Sequence, residues 1–448
     1  MNIIPFVHEG LGNSSYLLEL GSGCGILVDP DRSFARYKVE ADGRGLRLAA
    51  ALETHVHADF VSGAREAGSL GAELYLPAGG GYAFGHLPAQ PGERLLIEGI
   101  EVEVLAAPGH TPEHVAYVLR PASGPPLLFT GGSLIVSGAA RTDLISPELT
   151  DELTRAQFRT LQSAFATLPD DTVLYPTHGG GSFCAAGAGG ERVSTLGRER
   201  RSNPALAPTD EDAFTAWFPS TFPAAPDYFF RMRAFNQAGP RLRRELPQPR
   251  ALSVEEVIEQ QGTALIVDVR PATAFNQAHI PGSLSNAMRS AYATWLGWLV
   301  SPQTPLIFVL GDVPMETAID ESLLVGYEQL VGWLEGGIEA WQAASLAVAT
   351  TPFVEADEAL RWVEDGATVV DVRESNEFAG GHIRQALNVP LGDIADRLNE
   401  ITRKSPILAY CGHGERSTTA TSLLERAGYA RLVNLDGGYG AWTAAGLP

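Results

Sequence analysis

The chain reads as a multidomain protein of mixed α/β and α+β class, with a layered sheet sandwich carrying helices at its N-terminal end and two parallel α/β domains in tandem after it. Three observations predict this. The 448 residues, at about 150 per domain, allow about three hydrophobic cores. The second half repeats: Ala264–Arg270 (ALIVDVR) is answered by Thr368–Arg373 (TVVDVR), His279-Ile280 by His382-Ile383 at the same offset, and GGIEAW ending at Trp341 by GGYGAW ending at Trp442. The rhythm also changes along the chain, from many short strands with glycine-rich turns before residue 190 to alternating strand and helix within the repeat.

Taken in order, residues 1–190 supply strand runs SYLLEL, GILVDP, AELYLP, EVEVLAA, HVAYVL and PLLFTG, broken by turns such as AGGGYAFG. Residues 191–250 are polar and proline-rich, and read as a helical appendage followed by a linker. The repeat then gives ALIVDV and PLIFVL in residues 250–350, and TVVDV, PILAYC and RLVNL in residues 353–448, with helix-period stretches such as SVEEVIEQQ and RSTTATSLLERAG between them. The expected domains are 1–240, 250–350 and 353–448.

Composition narrows the function. Apolar residues at 45% and charged ones at 19% describe a folded chain and argue against wholesale disorder. With 32 Lys and Arg against 53 Asp and Glu, the net charge of −21 repels phosphate backbones and anionic lipid, so neither nucleic acid nor a membrane is an expected partner. The start MNIIPFVHEG has no basic or apolar leader segment, and no apolar run is long enough to span a bilayer, so a cytoplasmic protein is expected. Three cysteines, Cys24, Cys184 and Cys411, are too few for a disulfide framework, which leaves each to be judged as a thiol. Oligomerisation is left open.

Two constellations carry chemistry. Four of the ten histidines fall in loop sequence at strand ends: His55 and His57 in ETHVHADF, His110 in PGHT and His178 in YPTHGGGS. Imidazoles on loops above a sheet are the usual presentation of metal ligands. The second is Cys411-Gly412-His413-Gly414-Glu415-Arg416-Ser417, which follows the strand run Pro406–Tyr410 and leads into a helix. Backbone amides of such a turn, together with the helix N-terminus, favour a thiolate, and Arg416 adds positive charge for an anionic sulfur substrate. The repeat alignment puts Leu310 opposite Cys411, so the earlier copy has no nucleophile and reads as catalytically silent. Cys24 and Cys184 lack such a loop and are assigned to packing.

On the histidine motifs, residues 1–240 resemble the metallo-β-lactamase superfamily, and within it the persulfide dioxygenase and hydroxyacylglutathione hydrolase branches. The resemblance implies an αββα sandwich with a metal at one edge. Persulfide dioxygenase iron ligands carry over to His55, His110 and Gly132, and glycine has no donor; Phe60 replaces the motif's final histidine, a ligand of the second metal in dinuclear relatives. The set that remains is His55, His57 and His110, which with an open position suits zinc, whereas iron prefers two histidines and a carboxylate. Asp59 is the nearest substitute carboxylate, and His178 completes the candidate metal residues. Arg141 in Arg141-Thr142-Asp143 resembles the corresponding run of glutathione-using relatives and is a candidate for a thiol pocket.

Residues 353–448 resemble the rhodanese family, with Asp371-Val372-Arg373, Gly381-His382-Ile383 and the six-residue loop Cys411 to Arg416. The resemblance implies a sulfurtransferase in which Cys411 and Arg416 are catalytic and Gly412, His413, Gly414, Glu415 and Ser417 line the substrate position. The expectation is therefore a sulfur-metabolism enzyme acting on thiosulfate or thiol persulfides, with glutathione or another small thiol as co-substrate. Its first domain, holding zinc, iron or no ion, would serve sulfide oxidation. Two alternatives stand beside it: a metal-dependent hydrolase of glutathione-type thioesters, and a non-catalytic sandwich that scaffolds one active rhodanese domain.

Overall fold

A computed structural model describes residues 1–186 and 190–448. Contacts divide the chain into two compact units, Met1–Leu246 with Asp320–Gly326, and Pro247–Ile319 with Tyr327–Pro448.

In the first unit two six-stranded mixed sheets form the sandwich. One runs in the order Asn2–His8, Asn13–Glu19, Cys24–Val28, Arg47–Leu52, Glu73–Pro77, Leu87–Ala89; the other Ser194–Thr195, Val173–Pro176, Leu127–Gly131, Val115–Leu119, Ile100–Ala106, Arg94–Ile97. Alternation along the strands splits each buried face in two. Tyr16, Leu18, Ile26, Val28 and Leu52 from one sheet meet Val102, Val104, Val115, Tyr117 and Phe129 from the other. Leu17, Leu27 and Leu48, on the opposite face, pack under the helices Ala35–Gly43 and Ala64–Ser69, while Ala116, Val118 and Leu128 pack under helical segments from 150 onward. The layers are helix, sheet, sheet, helix, as expected. The region after 191 is helical, with Leu196–Ser202, Glu211–Trp217 and Phe229–Ala238.

The second unit contains two parallel five-stranded sheets of one topology. Their orders are Arg250–Leu252, Leu330–Leu334, Leu306–Val309, Leu265–Asp268, Leu284–Ser285, and Phe353–Val354, Leu432–Leu435, Ile407–Tyr410, Thr368–Asp371, Leu387–Asn388. The repeated motifs have a structural cause. Arg270 and Arg373 each fork onto the aspartate two residues earlier, at 2.6 Å to Asp268 and to Asp371, and each donates at 2.7 Å to a carbonyl, Ala278 or Gly381. His279 and His382 stack on Phe275 and Phe378 with ring centroids 3.8 and 3.7 Å apart. The buried Asp–Arg pairs tie the second strand of each copy to the segment after the next helix.

Candidate metal centre and cysteine loop

The strand Arg47–Leu52 ends at the edge of its sheet, and the next eight residues carry the first motif. Asp29, buried with φ 48°, anchors the start of this loop: it accepts from the Thr54 amide at 2.7 Å and the Thr54 hydroxyl at 2.8 Å, and also from Thr177. The appended helix Phe229–Ala238 holds the far end. Asn236 donates to the carbonyls of His57 and Phe60 at 2.9 Å each and accepts from the Ser62 amide at 2.9 Å. Arg233 forks onto Glu113, which itself accepts from the Val56 amide at 3.0 Å. No motif in the sequence pointed to Asn236 or Arg233, since their partners are backbone groups and a residue about 120 positions away.

His55, His110 and His178 come together with one ligand nitrogen each, all buried, and His57, Asp59 and His178 form a second, overlapping group. His178 thus takes the place expected for His57 beside His55 and His110. The tautomers follow from the partners. His110 Nδ1 lies 2.6 Å from the Arg141 carbonyl, which only accepts, so Nδ1 carries the proton and Nε2 is a lone pair without a partner. The Thr54 hydroxyl proton is given to Asp29, so Thr54 Oγ1 accepts from His55 Nδ1 at 2.9 Å and His55 Nε2 is a lone pair as well. His178 turns Nδ1 to Asp59, 3.2 Å away, which places Nε2 3.2 Å from His55 Nε2.

With the His178 proton on Nδ1 toward Asp59, its Nε2 is a lone pair facing that of His55, an arrangement that a cation between them satisfies. Burial and neighbouring imidazoles keep His55 well below its ordinary value and push His110 down to about 3, so neither supplies that charge as an imidazolium. The donor set therefore fits a metal ion, and Asp59 fits as the carboxylate that orients His178. His57 places Nε2 2.7 Å from Glu53 and 3.3 Å from Asp29, leaving Nδ1 without a partner; burial opposes its charge, but the two carboxylates raise it to about 10.

Gly132, His114, Phe60 and Arg141 complete the surroundings. Gly132 offers no ligand, and its amide donates to His114 Nε2 at 3.0 Å while His114 stacks on His55 at 4.7 Å. His114 carries no motif signature of its own and went unnoticed. Phe60 stacks on His57 at 4.2 Å, filling with carbon the place of a second-metal ligand. Arg141 corrects the thiol-pocket expectation: it is buried and its guanidinium is engaged by Asp143 and by the carbonyls of Phe183 and Pro223, so its part is to hold the turn whose own carbonyl fixes His110.

In the last domain the strand Ile407–Tyr410 delivers Cys411 to the base of the loop, and Gly414, with φ 111°, turns the chain into the helix Glu415–Arg426. The Gly414 amide lies 3.0 Å from Cys411 Sγ and the Ser417 hydroxyl 3.8 Å from it. Gly438 closes the loop from beneath, since a Cβ there would come within 2.3 Å of the Cys411 carbonyl, and the Tyr439 amide donates to that carbonyl at 2.7 Å. What the Gly-Gly of the repeated closing motif shares in both copies is positive φ, 70° and 59° at Gly336 and Gly337 and 63° and 58° at Gly437 and Gly438. Cys411 is only 1% exposed, flanked by exposed His413 and Glu415 and half-buried Gly412. Arg416 is not free: it forks onto Glu377 at 2.7 and 2.8 Å, a partner the sequence did not reveal. The remaining cysteines are buried; Cys24 Sγ lies 3.2 Å from Arg47, and burial raises the Cys184 thiol.

Fold and sites together define a histidine-lined metallo-β-lactamase-type sandwich joined to two rhodanese-type domains, one of which carries a cysteine. The model of the rhodanese-like domain matches residues 253–344 and 355–445. Persulfide dioxygenase ETHE1 of Bos taurus is 30% identical over 191 residues, 42% of this chain and 68% of that protein. A sulfurtransferase of Allochromatium vinosum is 41% identical over 80 residues, 18% of this chain and 75% of that protein. The crystal structure of a metallo-β-lactamase from Staphylococcus aureus superposes with a TM-score of 0.67 at 28% identity, covering 74% of this chain and 98% of that one. The chain belongs to the persulfide dioxygenase family of the metallo-β-lactamase fold over its first domain and to the rhodanese family over its last two. It spans 58–60% of the length of other curated relatives that it matches.

Proposed function

We propose that the protein is a sulfurtransferase in which Cys411 carries sulfane sulfur. The observation that carries this is the Gly414 amide aimed at Cys411 Sγ where the helix begins. The thiolate attacks the outer sulfur of thiosulfate or of a thiol persulfide. The donor S–S bond breaks, its electron pair leaves with sulfite or the donor thiolate, and Cys411 becomes a persulfide. An acceptor thiolate then takes the outer sulfur and returns Cys411 to thiolate, so atoms and charge balance. Gly412, His413, Gly414, Glu415 and Ser417 line the position of the transferred sulfur, and Arg416, held by Glu377, shapes its wall. The copy at 250–350 has Leu310 at the nucleophile position and transfers nothing.

The domain at 1–240 serves the same pool of small sulfur compounds, with glutathione or a similar thiol as co-substrate. His55, His110 and His178 would hold one zinc or iron ion, with His57 and Asp59 beside them. Zinc would supply a Lewis acid and iron, in addition, redox chemistry. Burial keeps His55 and His110 neutral, and Thr54, Arg141 and Asp59 stand against the other ring nitrogens of His55, His110 and His178. Phe60 favours this single-ion reading over a dinuclear thioester hydrolase. Among the described residues no helix is long and apolar enough to cross a membrane, and the acidic charge fits a cytoplasmic enzyme of small substrates without nucleic acid partners.

The test is thiosulfate and glutathione persulfide turnover by the full chain and by Cys411→Ser, which should lose at least ~10³-fold, because a hydroxyl neither ionises readily nor carries the persulfide. Near-normal transfer by that variant would overturn the reading.

A further inference from the structure

The cysteine loop of the last domain is joined to a pair of charges that the silent copy lacks. Arg416 Nη1 and Nη2 donate to the two Glu377 oxygens at 2.7 and 2.8 Å. A Cβ at Gly412 would lie 3.6 Å from Arg416 Nη2, so the guanidinium rests beside the residue that follows Cys411. Glu377 is itself held: its Oε2 accepts from the Glu374 amide at 3.1 Å, which fixes it to the first turn of the helix Ser375–Ala379. The hydrogen bonds from Arg416 keep the Glu377 carboxyl below its ordinary value, so the pair is ionised at neutral pH. The fork takes two of the five N–H donors of Arg416 and leaves the other three.

The repeat shows what this pair is for. In the register that sets Asp268 against Asp371 and Phe275 against Phe378, Ala274 stands at the place of Glu377. In the register that sets Leu310 against Cys411, Met315 stands at the place of Arg416. Donor and acceptor are thus both missing where the nucleophile is missing. The Asp-Arg fork and the stacked histidine are present in both copies. A pair needed to hold the fold would be present in both as well, whereas a pair needed by the thiol goes with the thiol.

We propose that Glu377 is a positioning residue for sulfur transfer: it holds the Arg416 guanidinium beside the loop, where the three remaining donors meet the anionic end of a sulfur donor such as the sulfonate of thiosulfate. An arginine on a long flexible stem loses less freedom on binding an anion when a fixed carboxylate has already set its plane. This rests on Cys411 being the sulfur carrier, and it extends the site beyond the loop to the helix Ser375–Ala379.

The test is a double-mutant cycle on the full chain, with Glu377→Ala, Arg416→Met and the two together, read as the rate at which thiosulfate loads sulfur onto the protein by intact mass spectrometry. Glu377→Ala should slow loading about tenfold although it removes a negative charge, and Glu377→Gln, which can accept one of the two bonds, should lie between it and the wild type. In the Arg416→Met background Glu377→Ala should change the rate less than about twofold. Loading of Cys411→Ser at the wild-type rate would overturn the carrier reading. A wild-type or faster rate in Glu377→Ala, with Cys411→Ser inert, overturns the positioning role alone. So does an equal loss in both Arg416 backgrounds, because Glu377 then acts otherwise than through Arg416, and a lowered melting temperature would mark that action as structural.

Discussion

Gly132→Asp puts a carboxylate where related iron enzymes carry one, and the expectation from this structure is that it harms the site. A Cβ at Gly132 would lie 2.6 Å from His110 Cδ2 and 2.9 Å from the Ala140 Cβ, so even alanine requires His110 to move. His110 has little freedom, since its Nδ1 is tied to the Arg141 carbonyl at 2.6 Å. Overpacking of this kind costs about 1–3 kcal/mol. At roughly 2–4 °C per kcal/mol for a domain of this size, the first domain should melt about 2–12 °C lower. Because His110 is displaced, bound metal should fall rather than rise. Gly132→Ala separates sterics from charge and should show most of the same loss. The measurements are calorimetric melting of the full chain and metal content by mass spectrometry after iron or zinc loading. If Gly132→Asp instead gains stoichiometric iron without loss of melting temperature, the carboxylate fits, and the assignment of His178 as the third ligand is wrong.

Further outcomes follow from other contacts. His178→Ala should weaken metal binding at least ~100-fold by competition with a chelator, whereas Phe60→Leu should leave it within a fewfold. Asn236→Ala leaves the carbonyls of His57 and Phe60 and the Ser62 amide without partners, so it should cost roughly 1–3 kcal/mol and lower metal affinity with no change at the metal ligands themselves. The Glu425 contact should be sensitive to acid. Burial opposes the Glu425 charge, but His279 and the Gly282 amide outweigh it and lower the carboxyl from its ordinary 4.5, so its stabilisation is complete above that value and vanishes as pH falls through the lowered one. The melting difference between wild type and Glu425→Gln should accordingly be present near neutral pH and disappear in strong acid; a constant difference would contradict the pairing.

How much was legible depended on whether a residue works through its neighbours in sequence or through space. The strand runs, the tandem repeat and the cysteine loop are local patterns, and each appears where the hydrophobic periodicity and glycine spacing placed it. The histidine motifs were legible as a metal site in outline, because three loops at one edge of the sandwich carry them. Their grouping was not. That His178 rather than His57 joins His55 and His110 is decided by which ring nitrogen Thr54, Arg141, Asp59 and Glu53 each occupy, and no spacing encodes this. Arg416 and Arg141 show the same limit: no local pattern reveals that an arginine near a site has a distant partner, Glu377 for the one and the Phe183 and Pro223 carbonyls for the other.

The repeat separates what holds a rhodanese-type fold from what performs its chemistry. Both copies keep the buried Asp-Arg fork and the stacked histidine, with hydrogen bonds matching to within 0.2 Å, 2.9 Å against 3.1 Å for the histidine and 2.7 Å for each arginine to carbonyl bond. They differ at the loop after the fourth strand in sequence, where one has a thiol beneath an inward amide and the other a leucine. At the nucleophile position of the earlier copy Leu310 is half-buried and its carbonyl accepts from the Val313 amide at 3.1 Å. Asn276, His279, Gly282 and Ser285 of the earlier copy bond to the helix Glu415–Arg426 of the last domain, so this copy packs on the helix that starts at the cysteine loop.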